Sequence, residues 1–316
     1  MSDMRRAAPA FWNPEKRYYD FKTCLRNAFG ARVAKLPIDA GFSCPNRDGT
    51  RGTGGCVFCD GRGSRLRRAG LLPGVSEQLR VMEAKYRALG FGKFIPYFQT
   101  FTNTHAPPER LEALWDEALA FSPDVVGLAV GTRPDCVPDA VLDALAARTG
   151  RARVFLELGL QSAHPATLAR LNRLHTWEES VDAVRRAASR GLAVVAHLIL
   201  GLPGETPAMM RETARAVGAL PIASVKIHSL LVLEGTPLAG RWRRGEVPLP
   251  DPPTYAGWVA DVLELLPPQI AIQRLAADGH RDILLAPDWA GDKHAVIAAV
   301  ERELVRRGSR QGDKAG

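Results

Sequence analysis

From residue 32 to residue 233 the chain alternates short apolar runs with amphipathic stretches, and this alternation constrains its fold more than any other feature. The runs at 32–41, 93–101, 124–132, 152–162, 192–206 and 223–233 read as strands. Between them, 75–90, 107–121, 137–149, 176–191 and 207–219 carry apolar residues at helical spacing. Near-continuous apolar strands separated by helices imply a parallel sheet covered by those helices. Six strand–helix units are too few to close an eight-fold barrel. The expected class is therefore α/β: a partial (βα)6 TIM-like barrel with a small α+β C-terminal module. The expected divisions are a basic N-terminal arm (1–31), the core (32–235), a Gly/Pro/Arg-rich linker (236–253), the C-terminal domain (254–308) and a disordered tail (309–316).

In such folds ligands gather at the C-terminal ends of the strands. The polar motifs of this chain fall there. "QTFTNTH" ends the second strand, "GTRPD" the third, "GLQS" the fourth and "GLPGE" the fifth. After the first strand comes "DAGFSCPNRDGTRGTGGCVFCDGRGSR" (39–65), with Cys44, Cys56 and Cys59. A CxxC pair turns both sulfurs to one side, and the glycines before it let the backbone fold back to bring Cys44 alongside. Three readings remain open on these residues. Zinc needs a fourth ligand, and the next histidine, His105, lies well outside the loop. Inert thiols sit poorly in a Gly-rich loop. An iron–sulfur cluster held by three thiolates leaves one iron open to an exogenous ligand.

Five cysteines in 316 residues argue against a disulfide framework. No stretch approaches the ~20 apolar residues of a membrane span, and the first residues lack the apolar run of a secretory signal. A cytoplasmic location, away from membranes, is the expectation. The whole net charge of +8 lies in residues 1–70, which hold 14 Lys/Arg against 6 Asp/Glu. Such a concentration suits a polyanion such as nucleic acid, although an Arg-rich proteome gives the same balance.

The order of "DAGFSCPNRDGTRGTGGCVFC", "YFQTFTNTHAP", "GTRPDC", "LELGLQS", "HLILGLPGET" and "QRLAADGHRDILLAPDW" resembles the radical S-adenosylmethionine (SAM) superfamily. Within it, the chain is similar to the YhcC/YtqA-type proteins of the branch that includes the Elongator catalytic subunit. The first two cysteines stand eleven residues apart, where the commonest form of the family motif has three. The resemblance implies a [4Fe–4S] cluster on Cys44, Cys56 and Cys59, with SAM on the open iron. Reductive cleavage of SAM then yields a 5′-deoxyadenosyl radical. It further implies that Phe58 packs on adenine, and that Gln99, Thr100 and Thr102 meet the SAM amino group. Gln161 and Arg173 would contact the ribose and carboxylate. His197 stands where a relative uses an acid, so it is carried as a cofactor-binding candidate. Glu157, inward-facing in the fourth strand, and Cys136, after the third, are the candidate catalytic residues. Cys24 has no assigned role.

The same branch points to tRNA, through the side chain of the wobble uridine, and to a reducing partner such as flavodoxin or ferredoxin. Arg5, Arg6, Lys16, Arg17, Lys22, Arg26 and the segment 62–68 would grip phosphates. Trp12, Tyr18, Tyr19 and Phe21 would either stack on bases or pin the arm to the barrel. The chain ends too early for an acetyltransferase domain, so acetyl transfer is not expected. Two other readings stand beside this one: a radical enzyme acting on a small metabolite or a protein, and an iron–sulfur RNA-binding or redox-sensing protein.

Overall fold

A computed structural model describes residues 9–61, 73–277 and 282–316. The chain enters through α1 (Phe21–Phe29) and then follows the expected alternation. In order come β1 (Val33–Ile38), α2 (Val75–Ala88), β2 (Lys93–Phe98), α3 (Pro108–Ala120) and β3 (Gly127–Thr132). Next are α4 (Asp139–Ala146), β4 (Arg153–Gln161), α5 (Pro165–Arg170), α6 (Trp177–Ser189), β5 (Ala193–Leu200), α7 (Pro207–Gly218) and β6 (Ser224–Ser229). After β7 (Val232–Leu233) and α8 (Pro237–Arg243) lie α9 (Pro252–Leu265), β8 (Ala271–Arg274), β9 (Leu284–Ala286) and α10 (Lys293–Arg307). Helix starts follow local chemistry. Thr176 and Glu179 close a reciprocal capping box on α6, and Thr206 caps α7 ahead of Pro207 at its first position.

The sheet runs β1-β2-β3-β4-β5-β6-β8, parallel throughout and without an order reversal. It is a curled, partial barrel, and the expected α/β class holds. The strand of the C-terminal segment joins this sheet as its seventh member, and α9 and α10 bury Val259, Leu263, Val300 and Leu304 in the same core as the barrel helices. Residues 236–253, expected as a linker, contain α8, which packs on Leu171 and Val232.

The two faces of the sheet separate by strand alternation. Leu36, Phe94, Val130, Leu156 and Val194 meet the helices. On the inner face, Ile95, Ala129, Phe155 and Val195 cluster with Phe21, Leu25 and Phe29 of α1. Helix α1 thus fills the interior near the N-terminal ends of the strands, leaving the C-terminal half for polar side chains. The arm's aromatics take the pinning role: Trp12, Tyr18 and Tyr19 are buried, Trp12 donates to the Pro268 carbonyl at 3.0 Å, and Phe21 lies edge-on to Phe155. Lys16 pairs with Glu301 and Arg17 donates to the Ser309 carbonyl, so these two cations are spent within the chain. Arg5, Arg6 and segment 62–68 lie outside the described residues.

Residues 309–316, expected to be a disordered tail, are packed instead. The buried Gln311 donates to the carbonyls of Pro267 and Ile270, each at 2.8 Å, and accepts from the Tyr19 amide at 3.0 Å. A polar segment without periodicity signals no packing in sequence, yet its amide satisfies backbone groups that burial would otherwise strand. At about 1 kcal/mol per bond, Gln311→Ala should lower stability by about 2–4 kcal/mol, read as a lower urea midpoint at unchanged slope.

Candidate functional site

The cysteine loop between β1 and α2 has no regular secondary structure through residue 61. Polar contacts with the 171–174 turn, which follows α5, hold it in place. Asn46, fully buried, donates to the Asn172 carbonyl at 2.6 Å, and Asn172 answers with its own amide to the Gly55 carbonyl at 2.8 Å. The Val57 amide donates to the Leu171 carbonyl, and Arg51 Nη1 to that of Leu174. From the other side, the Leu238 amide of α8 donates to the Val57 carbonyl at 2.9 Å. At Gly55, φ +77°, an added Cβ would stand 2.6 Å from the Arg47 guanidinium, which crosses the loop there and donates to the Cys59 carbonyl. The loop's glycine content therefore serves side-chain passage as well as turning.

One cavity at the C-terminal ends of the strands is lined by all three cysteines and by Phe58, Gln99, Thr102, Glu157, Gln161, Arg173 and His197. Ten of the twelve candidate residues thus converge. The other two do not line it. Thr100 is buried in the wall, and Cys136 sits in the short turn Pro134–Cys136, its thiol pushed up to about 12 by burial and Asp135. Among the described residues no three His, Cys, Asp or Glu side chains are grouped closely enough to hold a single metal ion. Burial raises the Cys59 thiol.

Two buried arginines face this cavity. Arg173 donates through Nη1 to the Cys56 sulfur at 3.3 Å and through Nη2 to the Gly159 carbonyl at 2.8 Å, while its Nε finds no partner among the described residues. Arg133 binds Asp135 through Nε and Nη2, at 2.9 and 2.8 Å, and leaves Nη1 unsatisfied. A buried orphan donor on a cavity wall costs about 1–3 kcal/mol unless a ligand satisfies it, so this wall is built for acceptors or negative charge. The sequence reading passed over Arg133, although it lies inside the "GTRPD" motif at the end of β3.

Beneath the thiols, strand side chains form a charged floor. Glu157 is fully buried, and its Oε1 pairs with Lys35 while its Oε2 pairs with Lys226 and with His197 Nε2 at 2.9 Å. Burial acts to raise this carboxyl, but the surrounding Lys226, Lys35 and His197 outweigh it and hold it well below the usual carboxylate range. Burial draws Lys226 down to about 7 and His197 down to about 4. A carboxylate that accepts from two ammoniums and an imidazole, and is held well below its usual range by them, is a counterion and a weak base. Lys35 and Lys226 were also missed. Each is flanked by apolar residues in its strand, where alternation alone would have turned it inward.

Backbone strain collects at the same place. Among the described residues, the non-glycine positions at positive φ are Phe101 (61°), Gln161 (70°), Asn172 (54°) and Leu174 (55°). Phe101 and Gln161 line the cavity, and the other two flank Arg173. Such positions cost of order 1–3 kcal/mol and concentrate where function imposes them.

Comparison with known proteins decides what the cavity belongs to. Residues 47–217 match the model of the radical SAM superfamily, and residues 222–306 match that of the Radical_SAM C-terminal domain. The chain belongs to the radical SAM superfamily. It is 41% identical over 304 residues to YtqA of Bacillus subtilis, covering 95% of this chain and 93% of that protein. A tRNA uridine(34) acetyltransferase of Methanocaldococcus infernus is 34% identical over 124 residues, 38% of this chain and 23% of its own. The solved structure of archaeal Elp3 from Methanocaldococcus infernus, lacking its N-terminus, superposes with a TM-score of 0.67 at 18% identity. The match covers 88% of this chain and 64% of that one, and it shows the shared fold.

As a radical SAM enzyme, the protein uses a [4Fe–4S] cluster and SAM. The site suits both: three thiols and two incompletely satisfied guanidiniums face one cavity. Close approach matters most at Gly159, where an added Cβ would lie 2.7 Å from Gln161 Nε2 and 3.3 Å from Arg173 Nη2. Both are side-chain ends that can move, so Gly159→Ala should fold, with Tm shifted by no more than about 4–8 °C. Its SAM affinity, measured by equilibrium dialysis of the reconstituted protein, should fall at least about tenfold.

Proposed function

We propose that Cys44, Cys56 and Cys59 hold the cluster and that the enzyme modifies the wobble uridine of tRNA. The convergence of the three thiols with Arg133, Gln161 and Arg173 on one strand-end cavity carries the first half of this reading. When bound, cluster and SAM supply a one-electron cleavage that produces a carbon radical able to take hydrogen from an unactivated C–H bond. The chain's own residues do the placing. The Arg173 N–H on the Cys56 sulfur fixes where that sulfur stands on the cavity wall. With Nη1 and Nη2 of Arg173 already occupied, the unsatisfied Nη1 of Arg133 is the better partner for the SAM carboxylate. Phe58 offers a ring face to the adenine, Gln161 reaches the ribose, and Gln99 and Thr102 receive the amino group; Thr100 supports the wall.

For tRNA, support comes from the net positive charge concentrated around the cysteine segment and from the partial similarity to tRNA uridine(34) acetyltransferases. Exposed Arg170, just ahead of the turn that anchors the loop, is a cation a phosphate backbone would meet. Cytoplasmic placement and reduction by a flavodoxin- or ferredoxin-type protein complete the reading. No helix among the described residues is long and apolar enough to cross a membrane.

Single Ala replacements of Cys44, Cys56 or Cys59 should each abolish the visible [4Fe–4S] absorbance of anaerobically reconstituted protein. Full absorbance in all three would sink the ligand assignment. Reduced wild-type protein given SAM should form 5′-deoxyadenosine. Mass spectrometry of tRNA nucleosides from cells lacking the protein should show a changed wobble-uridine profile, and an unchanged one would redirect the substrate to a small metabolite or protein.

A further inference from the structure

The barrel floor holds more charge than the cofactors account for. Facing the interior are Lys35 from β1, Tyr97 from β2, Glu157 from β4, His197 from β5, Lys226 and His228 from β6, and Gln273 from β8. Arg274, with a partner of its own, stands beside Lys226 across the β6–β8 ladder. The facing part of β3 contributes Ala129 and Gly131, small residues that bring no charge. Counting only the two lysines against Glu157, the floor carries one surplus positive charge, buried among the rings of Phe21, Tyr97 and Phe155. Burying an uncompensated charge is costly, and Tyr97, Glu157 and His197 open the floor to the cysteine cavity.

Donor capacity is left over as well. Lys226 makes two hydrogen bonds among the described residues, to Glu157 and to the Tyr97 hydroxyl at 3.2 Å, out of three available. The His228 ring lies 5.4 Å from that of His197, and its buried Nε2 has no partner among the described residues. Lys35 is committed to Glu157 and to Gln273 Oε1 at 2.8 Å. Glu157 and Lys35 thus form a frame, and Lys226 with His228 forms the receiving side.

We infer that this floor is a binding site for the carboxylate of a second, small reactant, held by Lys226 and His228 below the cofactor cavity. A monoanion balances the surplus. Phosphate sites draw on free backbone amides at helix N-termini or nests, whereas the amides here are spent in the parallel ladder. Lys226, drawn down to about 7 by its burial, lacks the anionic company that would keep it fully charged, and a bound carboxylate supplies that company. The assignment rests on the cavity being the reaction chamber proposed above, and it names what lies at its far end.

The test is saturation-transfer NMR on the full-length protein, with and without its cluster, using acetate and inorganic phosphate as separate probes. Acetate should bind the wild type. The Lys226→Met variant, which leaves Glu157 paired with Lys35 and His197, should bind it at least about tenfold more weakly. The surface variant Lys85→Met should match the wild type. Independently of any variant, acetate should raise the unfolding temperature of the wild type above that in sodium chloride of equal ionic strength. Absence of acetate binding, binding indifferent to the Lys226→Met variant, or phosphate bound in preference through Lys226 would each overturn the assignment. None of these readouts requires SAM turnover. A protein that binds acetate but forms no 5′-deoxyadenosine would sink the proposed radical reaction alone, and the converse would sink only the carboxylate site.

Discussion

The reciprocal amide pairing of Asn46 with the 172 turn and Asn172 with the cysteine loop is the constraint on which the site depends. Phe42, Val57 and Phe58 dock the loop against the apolar clusters, and directional bonds fix the register of its polar remainder. Those bonds determine where three sulfurs stand relative to the strand ends. The turn that receives them bears Asn172 and Leu174 at positive φ, on either side of Arg173. Relaxing either residue would withdraw a carbonyl or an amide from the loop and move Arg173 off the Cys56 sulfur. The strain, the loop anchor and the cation beside the thiol are thus one device.

A second constraint comes from below. Helix α1 occupies the interior near the N-terminal ends of the strands with Phe21, Leu25 and Phe29, so the inner face changes character along each strand. In β4 the step is Phe155, Glu157, Gly159: an apolar contact with α1, then a buried charge, then an empty position under Arg173. In β6 it is Ser224, Lys226, His228. Successive inward positions, two residues apart, build a hydrophobic plug, an ionic layer and an open cofactor layer.

This layering explains what could be read from the residues and what could not. The six strand–helix units were legible because period and apolar content agree in each of them. The three cysteines, Gln161 and Arg173 were legible because their spacing resembles that of a known family. Lys35 and Lys226 were passed over as single lysines in apolar runs, although strand alternation places each on the inner face. Arg133 stood in a motif noted for its cysteine, and burial decides between Arg133 and Cys136 in a way spacing cannot. The seventh strand was assigned to a separate module because some forty residues separate β6 from β8. Chain distance carries no information about sheet adjacency once a helix bridges the gap. The aromatic arm was ambiguous for a related reason, since a ring amid cations suits a base or a barrel mouth equally well.

The ionic layer also bears on how the cavity distinguishes its ligands. Glu157 accepts from two ammoniums and an imidazole, so its charge is already committed within the floor. Its effect is to hold Lys35 and Lys226 at fixed places within a ring of aromatic faces, where a flexible lysine would otherwise reach for water. Beside the thiols the donors are guanidiniums; at the ionic layer they are an ammonium and an imidazole next to aromatic rings. Two acceptors of different shape are favoured at opposite ends of one space. A bidentate carboxylate or cluster sulfur matches the planar forks of Arg133 and Arg173, whereas a small anion with an apolar body matches the point charge of Lys226 against Tyr97. Separation of donor types along the strand direction thus gives the two ends of one barrel interior different preferences among anions.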